Sequence, residues 1–218
     1  MKNNKRFIVS FILNILVFLL VVTGTIVMMA VKSEELAANN ISVFKYFTFQ
    51  SNIFIGCIAL VFAYYQFLVI RGKIDKIPQI LGIFNLIATS AVALTFTIVI
   101  VFLAPGYGFK LMYKNANLFF HLIVPVVAMI NYLFFIKSEK YRFVITLLTI
   151  IPSFLYGVVY FIVVAALNGY GDLKIDFYMF GKDGPLIGAL NFIAVMSIAY
   201  ALAILLYFLN RLVFKKSK

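Results

Sequence analysis

Six uninterrupted apolar runs constrain this chain more than any other feature. They cover roughly 7–31, 42–70, 78–104, 115–136, 141–167 and 186–214. Each is long enough to cross a hydrocarbon core of about 30 Å, which takes about 20 helical residues. Lipid cannot satisfy backbone polar groups, so every run must be helical. The expected fold is an all-α integral membrane protein, one six-transmembrane-helix bundle over residues 1–218. Composition agrees: 65% of residues are hydrophobic and 12% charged, against about 45–50% and about 25% in soluble domains.

The breaks between runs carry turn residues: Arg71-Gly72-Lys73, Pro105-Gly106-Tyr107-Gly108, Lys137-Ser138-Glu139-Lys140 and Asn168-Gly169-Tyr170-Gly171. Pro78, and Leu186 just after Pro185, suit helix starts. The first run follows Lys2, Lys5 and Arg6 as a signal peptide would. It is too long for a typical signal h-region and lacks a small-residue cleavage site, so it counts as the first helix. No internal repeat is evident.

Charge sets the expected orientation. Lysine and arginine split thirteen to six between the side holding both termini and the opposite side. Five of the seven acids, Glu34, Glu35, Asp172, Asp176 and Asp183, lie on the poorer side. The positive-inside rule then puts both termini in the cytoplasm. The net charge of +12 sits in short inter-helix segments, which argues against a nucleic-acid partner. The basic tail Lys215-Lys216-Ser217-Lys218 has the form of a dilysine retrieval signal, but it reads as positive-inside anchoring. Abundant Lys, Ile, Phe and Asn fit an AT-rich bacterial genome, and hence a bacterial plasma membrane.

Within the spans polar residues are scarce, so each one matters. A single histidine, His121, excludes bis-histidine haem and multi-histidine metal sites; a single cysteine, Cys57, excludes an internal disulfide and cysteine-ligated clusters. No metal or redox cofactor is expected. Cys57 reads as a small packing residue. An ionisable side chain inside a span usually has a task. Asn117, His121 and Pro125 recur at i, i+4 and i+8, on one helical face. Pro125 lacks an N–H, so the His121 carbonyl loses its helical partner and a kink is expected there. The plainer reading is a kink used only for packing.

In the second run Thr48, Ser51, Asn52 and Ile55 share a face. Thr48 and His121 each lie six residues into their runs, and Asn191 five residues into the sixth. At about 1.5 Å per residue the first two are about 9 Å deep in the outer leaflet. A threonine hydroxyl is a weak nucleophile that needs a neighbouring base. Neutral imidazole can take that proton and return it. An attacked ester carbonyl also needs fixed donors for its oxyanion. Asn52, Asn117, Asn191 and Ser51 are the candidate oxyanion or substrate-binding groups, and Pro125 the candidate pocket kink. No acid lies inside a span; only Asp176 of the outer loop could orient the imidazole. Twenty-five phenylalanines and thirteen tyrosines supply apolar lining, besides lipid contact and packing. A site at this depth would meet acyl chains, so the expected partner is a membrane lipid or fatty-acyl substrate.

Phe44-Lys45-Tyr46-Phe47-Thr48-Phe49-Gln50-Ser51-Asn52, followed by His121-Leu122-Ile123-Val124-Pro125, resembles the androgen-induced-gene and androgen-dependent TFPI-regulating-protein family. The likeness extends over the chain in span number and is sharp in these two motifs. It implies a six-span intramembrane threonine hydrolase acting on fatty acid esters of hydroxy fatty acids, with Thr48 as nucleophile and His121 as base. Gln50-Ser51-Asn52 is closer to the bacterial branch, which implies a related bacterial lipid as substrate. The rival readings are a small-molecule or lipid transporter or channel, and a non-catalytic lipid-binding protein. Against transport stand nearly uncharged spans and no inverted repeat. A serine-protease elbow of the Gly-x-Ser-x-Gly type is absent.

Overall fold

The computed structural model describes residues 2–30, 40–137, 142–172 and 174–215. Val31, the acids Glu34 and Glu35, the Ser138-Glu139-Lys140 turn and the tail Lys216-Ser217-Lys218 lie outside the described residues. Among the described residues six helices are long and apolar enough to cross a membrane: α1 (Lys5–Ala30), α2 (Phe47–Ile70), α3 (Gln79–Tyr107), α4 (Ala116–Phe134), α5 (Phe143–Ala166) and α6 (Pro185–Lys215). The Arg6 guanidinium lies 5.5 Å from the Phe214 ring centre, so α1 and α6 begin and end at the same face of the bundle. The Lys45–Phe47 segment, the turn before α4 and the 168–184 loop gather at the other face.

α3 is the central helix. Asn85 to Thr95 are buried without interruption. A helix buried on all sides is expected to be largely apolar all round; α3 nonetheless buries Asn85 Oδ1, Thr89 Oγ1 and Ser90 Oγ without a hydrogen-bond partner among the described residues. Small residues such as Gly82, Ala88, Ala91 and Ala93 let neighbouring backbones approach, the usual device where lipid provides no hydrophobic drive between helices. Val17 and Val21 of α1, Ile55 and Ala59 of α2, Ala88 and Val92 of α3, and Val124 and Ala128 of α4 form one core. α6 joins through Leu206 and Tyr207, against Leu86, Ala93 and Tyr132.

Toward the terminal face, a buried polar relay crosses three helices. Asn131 Nδ2 donates to Asn14 Oδ1 (2.9 Å), Asn14 Nδ2 to Gln66 Oε1 (2.8 Å) and Gln66 Nε2 to Ser10 Oγ (3.0 Å). Asn210 of α6 donates to the carbonyls of Tyr132 (2.6 Å) and Ile136 (2.8 Å), satisfying orphan acceptors at the end of α4.

Three features depart from the sequence reading. The run from 42 is not one helix: Asn40–Lys45 forms a separate 3-10 turn, Tyr46 is extended (ψ 133°), and α2 starts at Phe47. Thr48 therefore sits in the first turn of α2 rather than six residues along it. α5 opens as a 3-10 segment, Phe143–Ile150, where the hydroxyls of Thr146, Thr149 and Ser153 donate to carbonyls three residues back. Such back-bonding competes with regular helix. Cys57, expected to pack inside, is exposed on the outer surface of α2.

α5 and α6 touch where Gly157 faces Phe192. A Cβ at Gly157 would stand 2.1 Å from Phe192 Cε2. Gly157→Ala should therefore lower stability by about 1–3 kcal/mol, the cost of overpacking. Thermal melting in detergent checks this. Adding Phe192→Ala should make the double variant more stable than the sum of the singles, because the two residues share one space.

Candidate active site

Pro125 explains the local shape of α4. It cannot donate to the His121 carbonyl, and its ring crowds that carbonyl in a regular helix. α4 responds with a π turn over Phe119–Ile123, in which Val124 N–H donates to the Phe119 carbonyl. Such bulges are common at functional sites. α3 does the same at Val99–Leu103, just before Pro105. The turn in α4 leaves the Phe120 carbonyl without its usual donor from Val124. Asn52 Nδ2 of α2 fills the gap at 3.1 Å.

The imidazole is fixed by a backbone group. A one-turn helix, Phe109–Met112, follows Gly108, whose φ of 95° suits glycine. Its terminal carbonyls need partners. His121 Nδ1 lies 2.7 Å from the Met112 carbonyl, and Asn117 Nδ2 donates to that of Leu111 at 3.4 Å. A carbonyl only accepts, so the proton is on Nδ1 and the Nε2 lone pair is available as a base. Sequence reasoning had only Asp176 to offer as the orienting group. Asp176 is instead the keystone of the 168–184 loop. Its carboxylate accepts from the Tyr160 hydroxyl and from the N–H groups of Gly171 (3.0 Å), Phe180 (3.0 Å) and Gly181 (2.9 Å). Nothing in sequence spacing marks Met112 as its replacement, because a backbone carbonyl carries no residue signature.

Thr48 stands at the start of α2. Phe49 and Gln50 donate their N–H groups to the Tyr46 carbonyl, and Phe47 donates to the Tyr178 hydroxyl at 3.0 Å. Burial pushes the Tyr178 phenol up to about 12, so it stays protonated at neutral pH. Among the described residues neither the N–H nor the hydroxyl of Thr48 has a hydrogen-bond partner. The Thr48 carbonyl accepts from Asn52 Nδ2 (2.8 Å) and Ser51 Oγ (3.1 Å).

Thr48, His121, Asn117 and Asn191 line one cavity of about 600 Å³. No hydrogen bond joins Thr48 to His121; both line the same cavity. Asn191 Nδ2 donates to the Phe180 carbonyl at 3.2 Å and keeps a second proton. Ser51, Asn52 and Pro125 do not line this cavity. Both amide protons of Asn52 are taken by backbone carbonyls, so it clamps the Thr48 turn to the His121 turn instead of facing a substrate. Ser51 Oγ lies 3.1 Å from Thr95 Oγ1 of α3 and opens on a neighbouring groove. Pro125 is buried beyond the π turn, which puts it out of phase with Asn117 and His121. The rest of the wall includes Thr95, Ser153 and the tyrosines 46, 107, 156, 160 and 178. Apart from Tyr46, which belongs to the motif around Thr48, and Tyr107, which falls in a predicted break, these tyrosines were legible only as part of a general aromatic excess.

No known protein-family model matches the chain, and neither a characterised protein nor a solved structure resembles it closely enough to count as a match.

Proposed function

We propose that this protein is an intramembrane lipid-ester hydrolase, with Thr48 as nucleophile and His121 as general base. One observation carries the reading: an apolar cavity holds a threonine hydroxyl without a partner among the described residues, together with an imidazole whose proton is committed to Nδ1. His121 Nε2 takes the hydroxyl proton as Thr48 Oγ1 attacks the ester carbonyl carbon. The oxyanion meets the Thr48 N–H, at the positive end of α2, and the spare Asn191 proton. Collapse breaks the ester bond; the leaving alkoxide takes the proton back from His121 and departs as an alcohol. Water, deprotonated by Nε2, then attacks the acyl-threonine. The acid leaves and the hydroxyl is restored.

The resemblance of the two motifs to the androgen-induced-gene and androgen-dependent TFPI-regulating-protein family supports the same roles. It favours fatty acid esters of hydroxy fatty acids or a related bacterial lipid as substrate. The lysine and arginine asymmetry supports cytoplasmic termini and, with them, a cavity on the outer-leaflet side; the abundance of Lys, Ile, Phe and Asn supports a bacterial plasma membrane.

Thr48→Ala and His121→Gln should each lower turnover of a lipid ester by at least about a thousandfold, with melting temperatures near that of the parent chain. Thr48→Ser should retain measurable turnover. A fluorophosphonate probe should label the parent chain and not Thr48→Ala. Full activity in Thr48→Ala, or labelling that survives it, would sink the assignment; saturable lipid binding without turnover in the parent chain would favour a binding protein.

Asn52 tests the clamp. Asn52→Leu removes both donors and leaves the Phe120 carbonyl short of a partner, while the Thr48 carbonyl keeps Ser51 Oγ. Turnover should fall about a hundredfold, the scale of a displacement near 1 Å, and stability by about 1–3 kcal/mol. Were Asn52 an oxyanion donor alone, kcat would fall while stability stayed unchanged. Steady-state kinetics and melting on the same preparation separate the two.

A further inference from the structure

A second concavity lies outside the candidate active site, between α2 and α5. This groove has a volume of about 520 Å³. Its floor and sides are apolar: Phe54 of α2, Ala91 of α3, and Leu155, Val159 and Val163 of α5. Leu155, Val159 and Val163 are exposed on the side that faces lipid. From Pro152 to Val163 the groove follows twelve residues of α5, eleven steps or about 16 Å at about 1.5 Å per residue. That is the length and character of a site for one extended acyl chain.

Its loop end is charged. Lys45 lines the groove there, with Nζ 4.6 Å from the Phe177 ring centre and 5.3 Å from that of Tyr46. Aromatic faces hold a cation in place without neutralising it. Among the described residues no carboxylate pairs with Lys45. The backbone of Lys45 is also fixed, because its carbonyl accepts from the Tyr156 hydroxyl at 2.6 Å. A single ammonium at the mouth of an apolar groove matches one chain with one negative charge at its end. We infer that the groove is a binding site for a long-chain carboxylate, its head on Lys45 and its chain along α5.

The groove is separate from the cavity of Thr48 and His121, but the two share a wall. Phe47, Tyr156, Tyr160 and Phe177 line both. The Phe47 and Tyr156 ring centres are 5.2 Å apart. An occupant of the groove therefore lies directly behind the rings that bound the candidate active site. The binding site itself does not depend on hydrolysis.

The chain has no tryptophan, so Val159→Trp supplies a lone emitter in the groove. Leu212→Trp, exposed near the end of α6, reports on ordinary boundary lipid. Both would be made in Thr48→Ala, so that no ester is consumed, and reconstituted in phosphatidylcholine nanodiscs. The quenchers are 9,10-dibromostearate at pH 8 and its methyl ester. Dibromostearate should quench Val159→Trp along a saturable curve, and Leu212→Trp only in proportion to its membrane content. The methyl ester should give the proportional response at both positions. Lys45→Gln should raise the half-saturation point about tenfold, the scale of one charge-assisted contact, and Lys45→Arg should restore it to within about threefold. Equal quenching by acid and ester, or a curve unmoved by Lys45→Gln, would show a groove filled by bulk lipid and overturn the assignment. Should Lys45→Gln not fold, the comparison of acid with ester on the parent lysine decides alone.

Discussion

A proline that cannot donate a hydrogen bond governs the geometry around His121. In lipid an unmade backbone bond has no water to fall back on, so its effects must be absorbed by protein. At Pro125 they are absorbed twice. The π turn shifts the Val124 N–H to the Phe119 carbonyl, and the Phe120 carbonyl left behind is taken by Asn52. The same amide holds the Thr48 carbonyl. One side chain on α2 thereby ties the turn that carries the threonine to the turn that carries the histidine. The requirement that started at Pro125 ends as the link between two helices.

The same logic runs through the loop face. Each broken helix there leaves carbonyls or N–H groups that a side chain collects. His121 and Asn117 cap the short helix at 109–112, Tyr178 takes the first N–H of α2, and Tyr156 donates to the Lys45 carbonyl. Asp176 gathers three N–H groups of the loop and the Tyr160 hydroxyl. These bonds make the cavity walls rigid while its lining stays largely apolar. At the terminal face, four polar side chains pair with one another in the relay from Asn131 to Ser10, while Asn210 again serves backbone carbonyls. That half has the character of a packed membrane bundle, where such bonds act as glue.

The sequence was most readable where a single physical rule dominates. Span number and approximate ends follow from run length, because lipid thickness sets them. Position along each run pointed to Thr48, His121 and Asn191, and helical spacing added Asn117; these four line one cavity although α2 starts later than the run suggested. What could not be read were contacts made through the backbone. Met112 offers a carbonyl that any residue could offer, and Asn52 looked like a substrate donor because its two backbone acceptors lie on different helices. The phase shift at Pro125 was hidden for a related reason: helical spacing assumes one residue count per turn, and the π turn breaks that count. Asn14, Gln66 and Asn131 were individually visible as polar residues in apolar runs, but only packing brings them together.

The chemistry that such a site can perform follows from what its walls omit. Among the described residues that line the cavity of Thr48 and His121, none carries a charged side chain. An uncharged imidazole with one nitrogen committed to a carbonyl can move a proton over a short distance, and it needs no soluble counter-ion to do so. A charged transition state in these surroundings would depend on fixed dipoles, which act more strongly where water is scarce. The first turn of α2 and the amide of Asn191 are the dipoles within reach of the same space. Lys45 stands on the far side of the aromatic wall, where its charge can hold the head of an amphiphile without becoming part of the proton transfer. Separating the ammonium from the imidazole in this way also spares His121 a neighbouring positive charge, and neutral imidazole is the form a general base requires.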